Sequence, residues 1–171
     1  DPAERTYRTL LDFAAGGRKL SLSTVFQDTA PSGSPLATVI AVHGSPGSHK
    51  DFKYVAPILE RAGLRLIGVN YPGFGLTEET DDVKHTNEER NAFVESLIDR
   101  LGIKERIIFL GHSRGCENAL ELALMNSDKS LGVVVANPFG LRVNRAIRPR
   151  SIIDNIAYYH NNYRILRWPI E

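Results

Sequence analysis

Four short runs of apolar, mostly β-branched residues constrain this 171-residue chain more than any other feature. They lie at 37–42 (Ala-Thr-Val-Ile-Ala-Val), 66–69 (Leu-Ile-Gly-Val), 107–110 (Ile-Ile-Phe-Leu) and 132–136 (Gly-Val-Val-Val-Ala). A strand with one face in water alternates polar and apolar residues. Runs without that alternation suggest strands covered on both faces. Helical patterns lie between them. Phe52, Val55, Ala56 and Leu59 fall at i, i+3, i+4 and i+7, with Ser48 as cap and Gly63 as stop. Phe93, Leu97, Ile98 and Leu101 form a second stripe, opened by the capping box Thr86-Asn87-Glu88-Glu89 and closed by Gly102. Residues 116–125 form a third. Strands alternating with helices imply parallel strands, right-handed crossovers and helices on both faces of the sheet. The predicted fold class is therefore α/β with a mostly parallel sheet.

Two extended stretches precede this pattern, at 6–13 and 19–27, and Gly16-Gly17 between them reads as a hairpin turn. In the second stretch Leu20, Leu22 and Val25 alternate with Ser21, Ser23 and Thr24, as in a half-buried edge strand. Residues 29–35, rich in Pro, Ser and Gly, form a loop.

Three loops follow the apolar runs directly, at the carboxyl ends of the strands, where open α/β sheets hold ligands. They are His43-Gly44-Ser45-Pro46-Gly47, Asn70-Tyr71-Pro72-Gly73-Phe74-Gly75-Leu76-Thr77, and Gly111-His112-Ser113-Arg114-Gly115. The last joins a strand to a helix in so few residues that its central serine is forced into a strained conformation. Small neighbours keep the turn free of Cβ clashes, and the hydroxyl is exposed at the positive end of the following helix. That setting suits a nucleophile. The competing reading is a helix-capping serine in a Gly-rich turn.

Taken together, the three loops resemble the α/β-hydrolase superfamily, in motif order and separation, over roughly residues 6–140. The resemblance implies that Ser113 is the nucleophile and that the backbone N–H groups of Ser45 and Arg114 form an oxyanion hole. His43, Gly44, Gly111, His112 and Gly115 would support the motifs, and Tyr71 and Phe74 are candidates to line the pocket. Aspartate-nucleophile relatives, dehalogenases and epoxide hydrolases, carry aspartate where this chain has Ser113. Many relatives also carry aspartate where this chain has Asn70. Cys116 reads as a small buried side chain.

A serine hydroxyl needs a base, oriented in turn by an acid. The superfamily places both after later strands. After Ser113 this sequence shows one further strand-like run, so two strand–helix units are expected to lie outside it. Asp154 and His160 follow no strand-like run. Residues 1–140 are read as an incomplete α/β-hydrolase core. Residues 141–171 carry six arginines and read as the start of a helical cap or lid, with a helix at 151–159. Left uncovered, the run at 132–136 would be an open sheet edge, which either pairs with further strands of the protein or self-associates.

The function implied is a serine hydrolase acting on a small ester or other acyl substrate, with triad acid and base outside this chain. The alternative is a non-catalytic binding protein of the same fold. No cofactor or metal is called for. Net charge +1 gives no general attraction to nucleic acid, and no apolar run is long enough for a membrane span. Arg142, Arg145, Arg148 and Arg150 read as the solvated face of a lid or hinge in preference to an anionic contact patch. One cysteine and no visible leader favour the cytoplasm, while a first residue of Asp1 leaves the compartment open.

Overall fold

Residues 5–138 are described by the computed structural model. The chain divides into two compact units, Asp1–Pro138 and Phe139–Glu171. The second lies outside the described residues, and with it the expected lid, the 151–159 helix, the arginine segment, Asp154 and His160.

Six strands build one sheet: β1 (Thr6–Ala15), β2 (Arg18–Asp28), β3 (Thr38–Val42), β4 (Arg65–Gly68), β5 (Ile107–His112) and β6 (Ser130–Ala136), in the order β1-β2-β4-β3-β5-β6. β3 pairs in parallel with β4 and β5, and β5 with β6, whereas the β1–β2 hairpin joins antiparallel through β2 to β4. The mostly parallel sheet expected from the apolar runs is present. One strand assignment changes: β1, not β2, is the edge. The alternation in β2 covers only its first half, where Leu20 and Leu22 are buried between exposed or half-buried neighbours. Its second half is almost wholly buried, and Gln27 and Asp28 pair with Gly68 and Ile67 of β4. That junction is fixed by a buried bidentate ion pair, Arg65 Nε and Nη2 donating to Asp28 at 3.0 and 2.7 Å.

Successive strand residues point to opposite faces, and each face has its own helices. Ile40, Val42, Ile67, Ile107 and Phe109 pack with Phe93 and Leu97 of α2 (Asn87–Arg100) and Leu122 of α3 (Gly115–Met125). Val39, Ala41, Leu66 and Leu110 pack with Phe52 and Ala56 on the other side. Each of the Val, Leu, Ile and Phe side chains among these stabilises the fold by about 1.5–3 kcal/mol when fully buried.

The helix expected from Phe52 to Leu59 is broken. A 3-10 turn at His49–Phe52 is capped by Ser48 and Asp51, and α1 begins only at Ala56, running to Arg61. Pro57 explains the break: it has no N–H for the carbonyl of Lys53, so a continuous helix would lose a bond and clash. The Thr86–Glu89 capping box opens α2 as its sequence indicates, with Thr86 Oγ1 accepting from the Glu89 N–H at 3.2 Å.

α2 and α3 meet through a polar seam. Asn87 donates to Glu117 at 3.2 Å, Asn118 to Asn91 at 2.8 Å, Asn91 to Glu121 and Asn126 to Glu95. Asn91, Asn118 and Asn126 are buried. β6 is the other sheet edge among the described residues, and Val133, Val134 and Val135 on it are exposed. Among the described residues no helix is long and apolar enough to cross a membrane.

Candidate active site

Ser113 stands between β5 and α3 with φ 51°, the left-handed region that non-glycine residues seldom enter. Its N–H donates to Ala136 O at 2.9 Å and its carbonyl accepts from Cys116 N at 3.1 Å, so both sides of the bend are tied down. Two glycines make the bend possible. A Cβ on Gly115 would lie 2.4 Å from Val42 O, and one on Gly111 would lie 2.6 Å from the Cys116 Cα. The side chain of Ser113 is half-buried, and no described residue hydrogen-bonds its Oγ. It faces the loop after β3: a Cβ built on Gly44 would sit 3.1 Å from Ser113 Cβ and 3.5 Å from its Oγ.

That loop is set by a buried histidine. The Tyr71 N–H donates to His43 Nε2 at 3.2 Å, so Nε2 carries no proton. The proton therefore sits on Nδ1, which donates to Gly44 O at 2.7 Å. Burial is the main cause that pulls the His43 pKa down to about 4, which keeps the ring neutral. A geometric consequence follows. In a trans peptide the C=O and N–H point in opposite directions, and the Gly44–Ser45 bond is trans. Fixing Gly44 O toward the core turns the Ser45 N–H outward. No described residue accepts from the Ser45 or the Arg114 N–H.

His112 turns to Asp51, its Nδ1 3.1 Å from Asp51 Oδ2, linking the serine turn to the capped turn after β3. Neither histidine of the two loops touches the serine hydroxyl. Both His43 ring nitrogens are engaged, so His43 has no nitrogen left to act as a base. Tyr71 is completely buried, its ring packed 5.0 Å from His43 and 6.2 Å from Phe93 between centroids, while Phe74 is half-buried beside the same histidine at 5.3 Å. Cys116 is buried and its thiol pKa is raised by burial.

Asn70 uses its amide on both sides. Oδ1 accepts from the N–H and Nδ1 of His49 at 2.8 and 3.0 Å, and Nδ2 donates to Val25 O at 3.0 Å. An aspartate has no donor for Val25. Two participants were missed in the sequence. Asp51 had a signal, since Ser48-x-x-Asp51 is a capping box; Arg90, a cation buried in the first turns of α2, had none that periodicity reveals. Among the described residues no group of three His, Cys, Asp or Glu side chains could hold a metal ion.

Comparison with known proteins bears on the family and the fold. A family model described as "Alpha/beta hydrolase of unknown function (DUF1057)" matches residues 4–166. The uncharacterized protein F35H12.5 of Caenorhabditis elegans is 36% identical over 151 residues, covering 82% of this chain and 42% of that protein. The putative hydrolase LipZ of Mycobacterium tuberculosis is 27% identical over 168 residues, covering 96% of this chain and 54% of LipZ. The chain thus spans about half the length of the curated relatives it matches. Among solved structures, a malate-bound thermophilic esterase from Thermogutta terrifontis superposes with a TM-score of 0.73 at 21% identity, covering 92% of this chain and 54% of the esterase. That last likeness concerns fold alone.

Proposed function

Because the chain belongs to the α/β-hydrolase family DUF1057, we propose that the whole protein is a serine hydrolase of small ester or other acyl substrates, with Ser113 as nucleophile. The observation that carries this reading is a half-exposed serine at φ 51° set against a loop whose outward N–H is uncommitted. Ser113 Oγ attacks the acyl carbon and gives up its proton to a base, and the carbonyl oxygen becomes an oxyanion. The N–H groups of Ser45 and Arg114 stabilise that charge, each by about 3 kcal/mol of barrier. Collapse expels the alcohol, which takes the proton back, and water then cleaves the acyl-enzyme by the same route.

The base and its acid are assigned to residues outside 5–138, since neither His43 nor His112 reaches the hydroxyl. Residues 141–171 are assigned, from their sequence, to the start of a helical cap or lid. Of the two candidates to line the pocket, Tyr71 is completely buried beside His43, so only the half-buried Phe74 is assigned to the pocket wall. Self-association through the exposed edge of β6 is a separate proposal, and sedimentation of the whole protein with Val134→Lys tests it: an unchanged mass overturns it.

The functional test uses the whole protein. A fluorophosphonate should label the wild type and not Ser113→Ala, and the variant should no longer hydrolyse p-nitrophenyl acetate. Undiminished turnover by Ser113→Ala would refute the assignment.

A further inference from the structure

Arg90 is 5% exposed, and among the described residues neither its Nε nor its Nη1 has a hydrogen-bond partner. Its Cζ lies 4.6 Å from the ring centroid of Tyr71 and 5.4 Å from that of Phe74. Aromatic faces offset part of the loss of water around a cation, but they cannot accept its N–H bonds. Three carboxylates of α2 and α3 are committed to other partners. Glu89 binds Arg18 and the Lys84 N–H, Glu117 binds Arg114, and Glu121 binds Asn91. Tyr71 Oη is likewise buried without a partner among the described residues. Arg114, the residue directly after the nucleophile, is a second cation whose charge acts unfavourably on Arg90.

A forked guanidinium with unused donors, close to an unused phenol hydroxyl, matches what a carboxylate accepts from. We propose that the acyl substrate of this site carries a carboxylate, for which Arg90 is the counter-charge. This rests on the reading of Ser113 as the nucleophile. Arg90 also lines a narrow slot with Phe13, Pro72, Val83, His85 and Glu89. In this proposal the carboxylate reaches Arg90 past Phe74, the half-buried one of the two rings packed on it. Phe74 stands in a turn between Gly73 and Gly75, whose φ angles of 74° and 59° lie in the region that favours glycine.

The experiment uses succinate as probe and succinamide as its neutral control, titrated calorimetrically into the whole protein. Succinate should bind about tenfold or more tightly than succinamide, and Arg90→Met should remove that difference. Equal binding of the two probes by the wild type overturns the proposal and needs no variant, so a poorly folding Arg90→Met does not rescue it. Arg90→Met that folds and keeps the preference for succinate overturns it too. A kinetic arm compares kcat/KM for p-nitrophenyl hemisuccinate and p-nitrophenyl butyrate, whose ratio should fall about tenfold or more in Arg90→Met. Succinate binding involves no turnover. Failure of the fluorophosphonate to label Ser113 would thus strike the hydrolase reading while leaving the anion measurement to stand on its own result.

Discussion

Replacing His43 tests how the oxyanion loop is preset. In His43→Phe a ring of similar size fills the space, but Gly44 O loses its donor at 2.7 Å and the Tyr71 N–H its acceptor at 3.2 Å. The Gly44–Ser45 peptide is then free to rotate. An outward Ser45 N–H that no longer holds its direction forfeits about 3 kcal/mol of transition-state stabilisation, or about a hundredfold in kcat. KM should change little, because the oxyanion forms only after binding. His43→Asn is the informative partner. Its side-chain amide can still donate to Gly44 O from near the Nδ1 position, so its kcat should fall less than about tenfold. Steady-state kinetics on p-nitrophenyl acetate, with circular dichroism to confirm folding, reads both numbers. A folded His43→Phe with wild-type kcat, or a loss confined to KM, refutes the reasoning.

Three further outcomes are expected. His43 is neutral in the fold with a pKa near 4, against about 6.5 unfolded. Its contribution is full above pH 6.5 and is lost as pH falls toward 4, a decline of about 3 kcal/mol that urea titrations should show in the wild type and not in His43→Asn. Asn70→Asp removes the donor to Val25 O and points a carboxylate oxygen at it in a fully buried place. Urea unfolding at pH 7 should show a loss of about 1–3 kcal/mol, and wild-type stability would contradict the assigned amide orientation. Ser113→Gly relieves a left-handed backbone worth about 1–3 kcal/mol, less about 0.5–1 kcal/mol of glycine entropy. It should therefore be inactive yet more stable than Ser113→Ala, which keeps the Cβ; equal melting temperatures would argue against strain at the bend.

Much of this architecture can be read from the residues, because the signals are local. Unbroken apolar runs such as 107–110 mark strands packed on both faces, and Thr86 with Glu89 marks the start of α2 by hydrogen bonds three residues apart. The three loops at the carboxyl ends were likewise legible from glycines whose positions tolerate no Cβ. Contacts that depend on two distant segments were not. The interior position of β2 rests on Asp28 meeting Arg65, 37 residues away. Likewise the tie between His112 and Asp51 spans 61 residues, so nothing within either segment announces it. Arg90 looks like any surface arginine of an amphipathic helix until Tyr71 and Phe74 close over it. The break before α1 was readable in principle, since Pro57 forbids the bond that continuity needs, but the apolar stripe at 52–59 outweighed it.

Helices joined by greasy surfaces can slip past one another at modest cost, since one methyl group replaces another. The junction between α2 and α3 does not allow this. Asn87, Asn91 and Glu95 recur a turn apart on α2 and each meets a polar partner of α3 or its cap, so a slip would strand buried amides away from water. α3 begins two residues after Ser113. A ladder that locks its axial position therefore also sets the height of the hydroxyl above the sheet, from as far away as Asn126 at the opposite end of the helix.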